Sequence, residues 1–198
     1  MIRITPPTEP PTFHALCRQP GNTWLGTHAT GRPRDFWTPF QPDLADGFAN
    51  RRGDKALWDL DGTVDHYLSC KKHRAQSCEW TNYRYASGSI NSSTGTHDAA
   101  ILDPLHVQDD WFEVDLLTMQ LLPTAAIPLA EKTRADFTLK QLKLRNGTKV
   151  KRRVWYGLFK AGKFGARQAA IEGLRVFAPQ VAAAVEKWHA ANPGHTPP

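Results

Sequence analysis

The stretch 57–68, LWDLDGTVDHYL, sets the reading of the whole chain. Two short β-prone runs flank Asp61-Gly62, a pair that favours the tight turn of a hairpin. The second run ends in an acid and an imidazole side by side, Asp65 and His66. Neighbouring strand residues point to opposite faces, so this pair is poorly suited to meet across one sheet. A strand that ends this way asks for a chemical reason.

The surrounding chain has 198 residues, 40% of them hydrophobic and 22% charged, the balance of a folded domain with a real core rather than a disordered one. Seven Trp supply large aromatic anchors. Cys17, Cys70 and Cys78 include no Cys-x-x-Cys pair, so neither a disulfide framework nor a structural zinc is expected. The first residues, MIRITPPTEPPTF, lack an apolar run of signal-peptide length, and no run approaches the roughly 18 apolar residues of a membrane span. A cytoplasmic location without a membrane partner is the expectation.

Residues 1–40, rich in Pro, Gly and Thr with Trp24, Phe36, Trp37 and Phe40 among them, read as an extended arm whose aromatics pack onto the rest. A short helix is expected over 41–51, a polar basic loop over 69–79, a short aromatic strand over 80–87, and at most about two helical turns over 88–98. Strand and turn material fills 99–124. Helices follow over 132–144, 149–162 and 165–177, with Asn146-Gly147 as a turn, and Pro179 opens a last one. In 149–162 the spacing of Val150, Val154, Leu158 and Ala161 suggests a core-facing stripe. The domain expectation is an arm (1–40), a core (41–125) and a basic helical subdomain (126–198).

Two asparagines join Asp65-His66. Fifteen residues separate His66 from Asn82, in EWTNYRYAS, and eight separate Asn82 from Asn91, in GSINSSTG. This series, with VDHY, Asn82 in its aromatic context and ILDPL at 101–105, resembles the HNH nucleases, the ββα-metal finger. It is similar in particular to the short HNH proteins of Septu- and retron-type anti-phage systems. The resemblance covers roughly residues 41–115. It implies an α+β fold with an HNH core, metal-dependent cleavage of DNA (RNA not being excluded), a role in anti-phage defence and an ATPase partner protein. Residue by residue it implies Asp65 and Asn91 as ligands of Mg²⁺ or Mn²⁺, His66 as general base, and Asn82 as the residue that holds the loop and the base in place.

These residue types suit the chemistry. Phosphodiester hydrolysis needs a nucleophilic water, a base for its proton and positive charge on the departing oxygen. A hard cation takes oxygen ligands and keeps waters, and an imidazole with an ordinary pKa of about 6.5 abstracts protons near neutrality. Two departures stand out: no zinc clamp, leaving Trp58, Trp80, Tyr83 and Tyr85 to hold the finger by packing, and Thr94 where relatives often carry Lys.

The net charge is +6, and it is segregated: between residues 140 and 175 stand eleven Lys or Arg against one acid, Glu172. Concentrated basic residues favour a polyanion, and a solvated helical surface is the alternative. Lys71, Lys72, Lys149, Arg152, Arg153 and Lys160 are the candidate nucleic-acid contacts. A degenerate HNH subunit that binds nucleic acid or a partner without cutting stays open as the alternative function.

Overall fold

The computed structural model describes residues 3–49, 51–52, 57–58, 62–88, 91, 94–95 and 97–198. It is a mixed α+β structure built of helices and small antiparallel two-stranded sheets.

Pro20 shapes the N-terminal third. The expected extended arm is corrected over residues 14–27: a π-helical turn, His14–Arg18, runs directly into α1, Gln19–Thr27. Pro20 has no N–H to give to the carbonyl four residues back. The preceding amide, that of Gln19, bonds His14 O, five residues back, and the helix widens locally there. This run turns Phe13 and Cys17 fully inward. Phe13 then meets Phe40, Trp80 and Tyr83 edge-on, with ring centroids 5.1, 5.3 and 5.8 Å away, the arrangement that aromatic quadrupoles favour. A 3₁₀ turn, Thr38–Phe40, leads into α2, Gln41–Gly47, which buries Leu44.

Strand β1, Arg51–Arg52, pairs with β2, Leu57–Trp58, and β3, Gly62–His66, pairs with β4, Tyr83–Ser87. The hairpin expected around Asp61-Gly62 is therefore corrected: the runs on its two sides pair with other strands, and Asp61 lies outside the described residues. Gly62 answers to a different constraint. The Tyr85 ring lies over it, so that a Cβ would fall 2.0 Å from a ring carbon, and the Gly62 amide donates to the Tyr85 hydroxyl at 3.0 Å. Beyond β4, Gly88, Asn91 and Thr94 have helical backbone.

Strands β5, Phe112–Val114, and β6, Leu121–Pro123, form a hairpin. Helix α3, Leu129–Gln141, is followed two residues on by Lys143, whose φ of +52° reverses the chain. The turn expected at Asn146-Gly147 is corrected to a one-turn helix, α4, Leu144–Gly147. Helices α5, Lys149–Lys160, α6, Arg167–Phe177, and α7, Pro179–Ala191, complete the chain.

Helix α5 faces the other way from the expected stripe. Val150 is 72% and Val154 53% exposed, while Tyr156 and Arg152 are buried. The aromatics Trp155, Tyr156 and Phe159 pack against the core instead. They offer more apolar area than two valines, and area decides which face is buried.

Two hydrophobic clusters result among the described residues. The first gathers Ile4, Phe13, Cys17, Leu44, Val64, Trp80, Tyr83 and Tyr85 among others. The second runs from Ala86 through the β5–β6 hairpin to Val185 on α7. The β3–β4 ladder lies between them, Tyr85 in one and Ala86 in the other. Among the described residues no helix is long and apolar enough to cross a membrane.

Candidate active site

The ladder register places His66 opposite Tyr83 and Asp65 opposite Arg84. His66 thus shares the face of the aromatic cluster, its ring edge-on to Tyr83 with centroids 5.0 Å apart. Asp65 takes the opposite face, 8% exposed.

The loop 67–82 that joins the strands is fixed by Asn82. Its Oδ1 accepts from the Leu68 amide at 2.7 Å, and its Nδ2 donates to Leu68 O at 3.0 Å and Gln76 O at 2.9 Å. One side chain, 3% exposed, spans both ends of the loop. Its neighbour in that loop, Ser77, presents a carbonyl to two donors: Nε2 of His66 and the Tyr83 hydroxyl, each at 2.9 Å. A carbonyl only accepts, so Nε2 carries the hydrogen and the neutral ring keeps its lone pair on Nδ1. Burial above all holds this imidazole below its ordinary range, and the Arg32 cation acts in the same direction against the Ser77 bond and Asp35.

Asn91 and Thr94, one helical turn apart, grip β3 at consecutive residues. Asn91 Nδ2 donates to Val64 O at 2.9 Å, and Thr94 Oγ1 donates to Asp65 Oδ2 at 3.1 Å. With its amide nitrogen so committed, Asn91 has no described partner for its Oδ1. A carboxylate and an amide oxygen, Asp65 and Asn91, form the hard donor set that Mg²⁺ takes while keeping several waters, so these residues fit such an ion. Among the described residues no group of three or more His, Cys, Asp or Glu gathers to hold a metal.

Several supporting residues carry no sequence motif. Asp98, at a φ of +40°, accepts from the Ser69 amide at 2.7 Å and pairs with Lys72 at 3.0 Å. Burial raises its pKa, but the bonds from Ser69 and Lys72 outweigh this and leave it lowered. Arg84 forms a bidentate pair with Asp103, its Nε 2.7 Å and its Nη2 2.5 Å from the carboxylate, both side chains almost fully buried. Only the position of Asp103 in ILDPL hinted at this.

The chain matches no protein-family model, and no curated protein is significantly similar to it.

The candidate nucleic-acid contacts divide. Lys71, Arg153 and Lys160 are exposed, and Lys149 is half-buried. Lys72 is committed to Asp98. Arg152 is corrected: at 1% exposure it donates to Met119 O at 3.0 Å and Leu144 O at 3.2 Å, stapling α5 to the β5–β6 loop and α4. Burial lowers its pKa to about 10. Trp80, Tyr83 and Tyr85 pack together in the first hydrophobic cluster, while the Trp58 side chain lies outside what is described.

Proposed function

We propose that the chain is an HNH-type endonuclease that hydrolyses phosphodiester bonds of DNA with a divalent metal. The observation that carries this reading is the double anchorage of one loop: Asn82 ties its two ends together, and its Ser77 carbonyl fixes the His66 tautomer. A structural surface His needs no such arrangement. Here the arrangement leaves Nδ1 as a base of fixed identity.

In this reading a water oxygen attacks the phosphorus while its proton passes to Nδ1 of His66. The phosphorus bond to the leaving deoxyribose oxygen breaks, and that oxygen departs with the electron pair and is then protonated. Asp65 and Asn91 would hold Mg²⁺ or Mn²⁺, and the cation, when bound, offsets charge on the departing oxygen. Asn82 keeps the base-bearing loop rigid. The basic residues Lys71, Arg153 and Lys160 contribute phosphate contacts without sequence readout. Anti-phage defence with an ATPase partner rests on the family resemblance alone.

One observation favours a second reading, a nucleic-acid-binding or partner-binding subunit without turnover. Asp65 is 8% exposed and already accepts a bond from Thr94, which competes with a metal for that oxygen. Supercoiled-plasmid nicking with Mg²⁺ or Mn²⁺ separates the two. Metal-dependent nicking that vanishes in His66→Ala supports the nuclease. Salt-sensitive DNA binding with no nicking in any divalent metal supports the second reading.

A further inference from the structure

The segment between α1 and α2 comes to the same edge of the finger as His66. The two meet across a crevice too tight to admit a water molecule, lined by His66, Cys70 and Ser77 from the loop side and by Arg32, Arg34 and Trp37 from the segment. Arg32 and Arg34 thus stand at the same crevice as His66, and the Arg32 charge acts on the imidazole, although 31 or more residues separate them in sequence.

The segment is firmly held. Pro33, between the two arginines, is buried. Arg74, in the finger loop, donates to His28 O at 2.6 Å and to Gly31 O, tying the segment to the loop that fixes His66. Asp35 receives Arg32 Nη2 at 2.6 Å and the Trp37 indole Nε1 at 3.2 Å on the same oxygen. Thr38 closes the turn from the other side, its amide and hydroxyl both donating to Asp35 O, at 3.0 and 2.7 Å.

Arg32 gives Asp35 only one of its nitrogens. Nε and Nη1 make no hydrogen bond among the described residues, and the side chain is 59% exposed. Arg34 is exposed and has no acidic partner there. A guanidinium fork left with unused donors in a fixed orientation suits a tetrahedral oxyanion, which it can hold through two parallel bonds.

We propose that Arg32, braced by Asp35, and Arg34 form a phosphate-binding site beside His66. The role in cleavage rests on the nuclease reading above. In that role the site receives the scissile phosphate and stabilises its growing charge, the task for which Thr94 offers no cation. Asp35 is a positioning residue, acting through Arg32.

The experiment uses the full chain in EDTA, with inorganic phosphate as probe. The His66 ring-proton and Trp37 indole N–H resonances are followed by NMR. In the wild type both shift saturably, and in Arg32→Gln/Arg34→Gln the dissociation constant rises about 10-fold or more, the loss expected when one charge-assisted bond is removed. Asp35→Asn gives an intermediate value. Arg32→Lys/Arg34→Lys keeps charge and fold but not the fork, and binds more weakly than wild type. No saturable shift in the wild type, or an unchanged constant in the Gln double variant, overturns the site. Plasmid nicking is the second arm. The Gln double variant lowers turnover about 10²-fold with the metal midpoint unmoved, and wild-type turnover overturns the proposed role. A wild type that never nicks sinks the nuclease reading, and the phosphate titration still decides the site.

Discussion

The Thr94 hydroxyl donates to Oδ2 of Asp65 at 3.1 Å, both residues being buried. Thr94, at the position where the resemblance to HNH nucleases suggested a cation, thus serves as a hydrogen-bond donor to the carboxylate itself. Thr94→Val keeps the shape and removes the donor. Its expected cost is about 1–3 kcal/mol, because a buried carboxylate loses a partner, and Thr94→Ser restores most of it. Urea unfolding of the three proteins checks the order.

His66→Ala is expected to lower plasmid nicking by about 10²–10⁴-fold, the range of a general base, with DNA affinity nearly unchanged. Nicking at the wild-type rate would remove His66 from the mechanism.

The buried imidazole also links stability to pH. Its folded pKa lies below the ordinary 6.5, so above about pH 6.5 both the folded and unfolded forms are neutral and the group contributes no pH dependence. As pH falls below that value the unfolded chain takes up the proton first, and the fold loses stability until the folded pKa is passed. His66→Gln therefore shows a shallower decline in melting temperature between pH 7 and 5 than the wild type. Parallel declines would contradict the depressed pKa.

Asn82 and Asn91 are expected to fail differently. Asn82→Ala deletes three bonds to the backbone. At about 1 kcal/mol each, it lowers stability by about 3 kcal/mol and turnover with it, leaving the metal midpoint in place. Asn91→Ala deletes one bond, to Val64 O, and moves the midpoint to higher Mg²⁺. Equal midpoint shifts in a metal titration of nicking would refute this division.

The two neighbouring arginines of α5 offer a sharper contrast. Arg153→Ala, at an exposed position, is expected to flatten the log-affinity against log-salt slope by up to about one unit and to leave stability within about 0.5 kcal/mol. Arg152→Ala orphans the Met119 and Leu144 carbonyls and opens a void, costing about 2–4 kcal/mol, with no change in salt slope. Salt-dependent filter binding and thermal melts together test both halves.

The sequence by itself determined the local features whose causes are local: the α+β composition, the helices near 132–144, 149–162 and 165–177, the Pro179 start of α7, and the order Asp65, His66, Asn82, Asn91 along one strand, loop and helix. Only the tertiary structure decided which surfaces meet. Asp61-Gly62 has hairpin chemistry, yet β3 takes β4 as its partner, because the Tyr83 and Tyr85 rings bury their area against Val64 and Phe13 while Tyr85 seals Gly62. The periodicity of α5 offered two faces, and the larger aromatic face went inward, taking Arg152 with it. The arm looked extended because Pro and Gly discourage helices, but burial of Phe13 and Cys17 in the aromatic cluster favours a helix that a widened turn lets past Pro20. Arg32 and Asp35 were invisible beside His66 in sequence, since no spacing rule reports a contact made by a segment folded back against the β3–β4 loop.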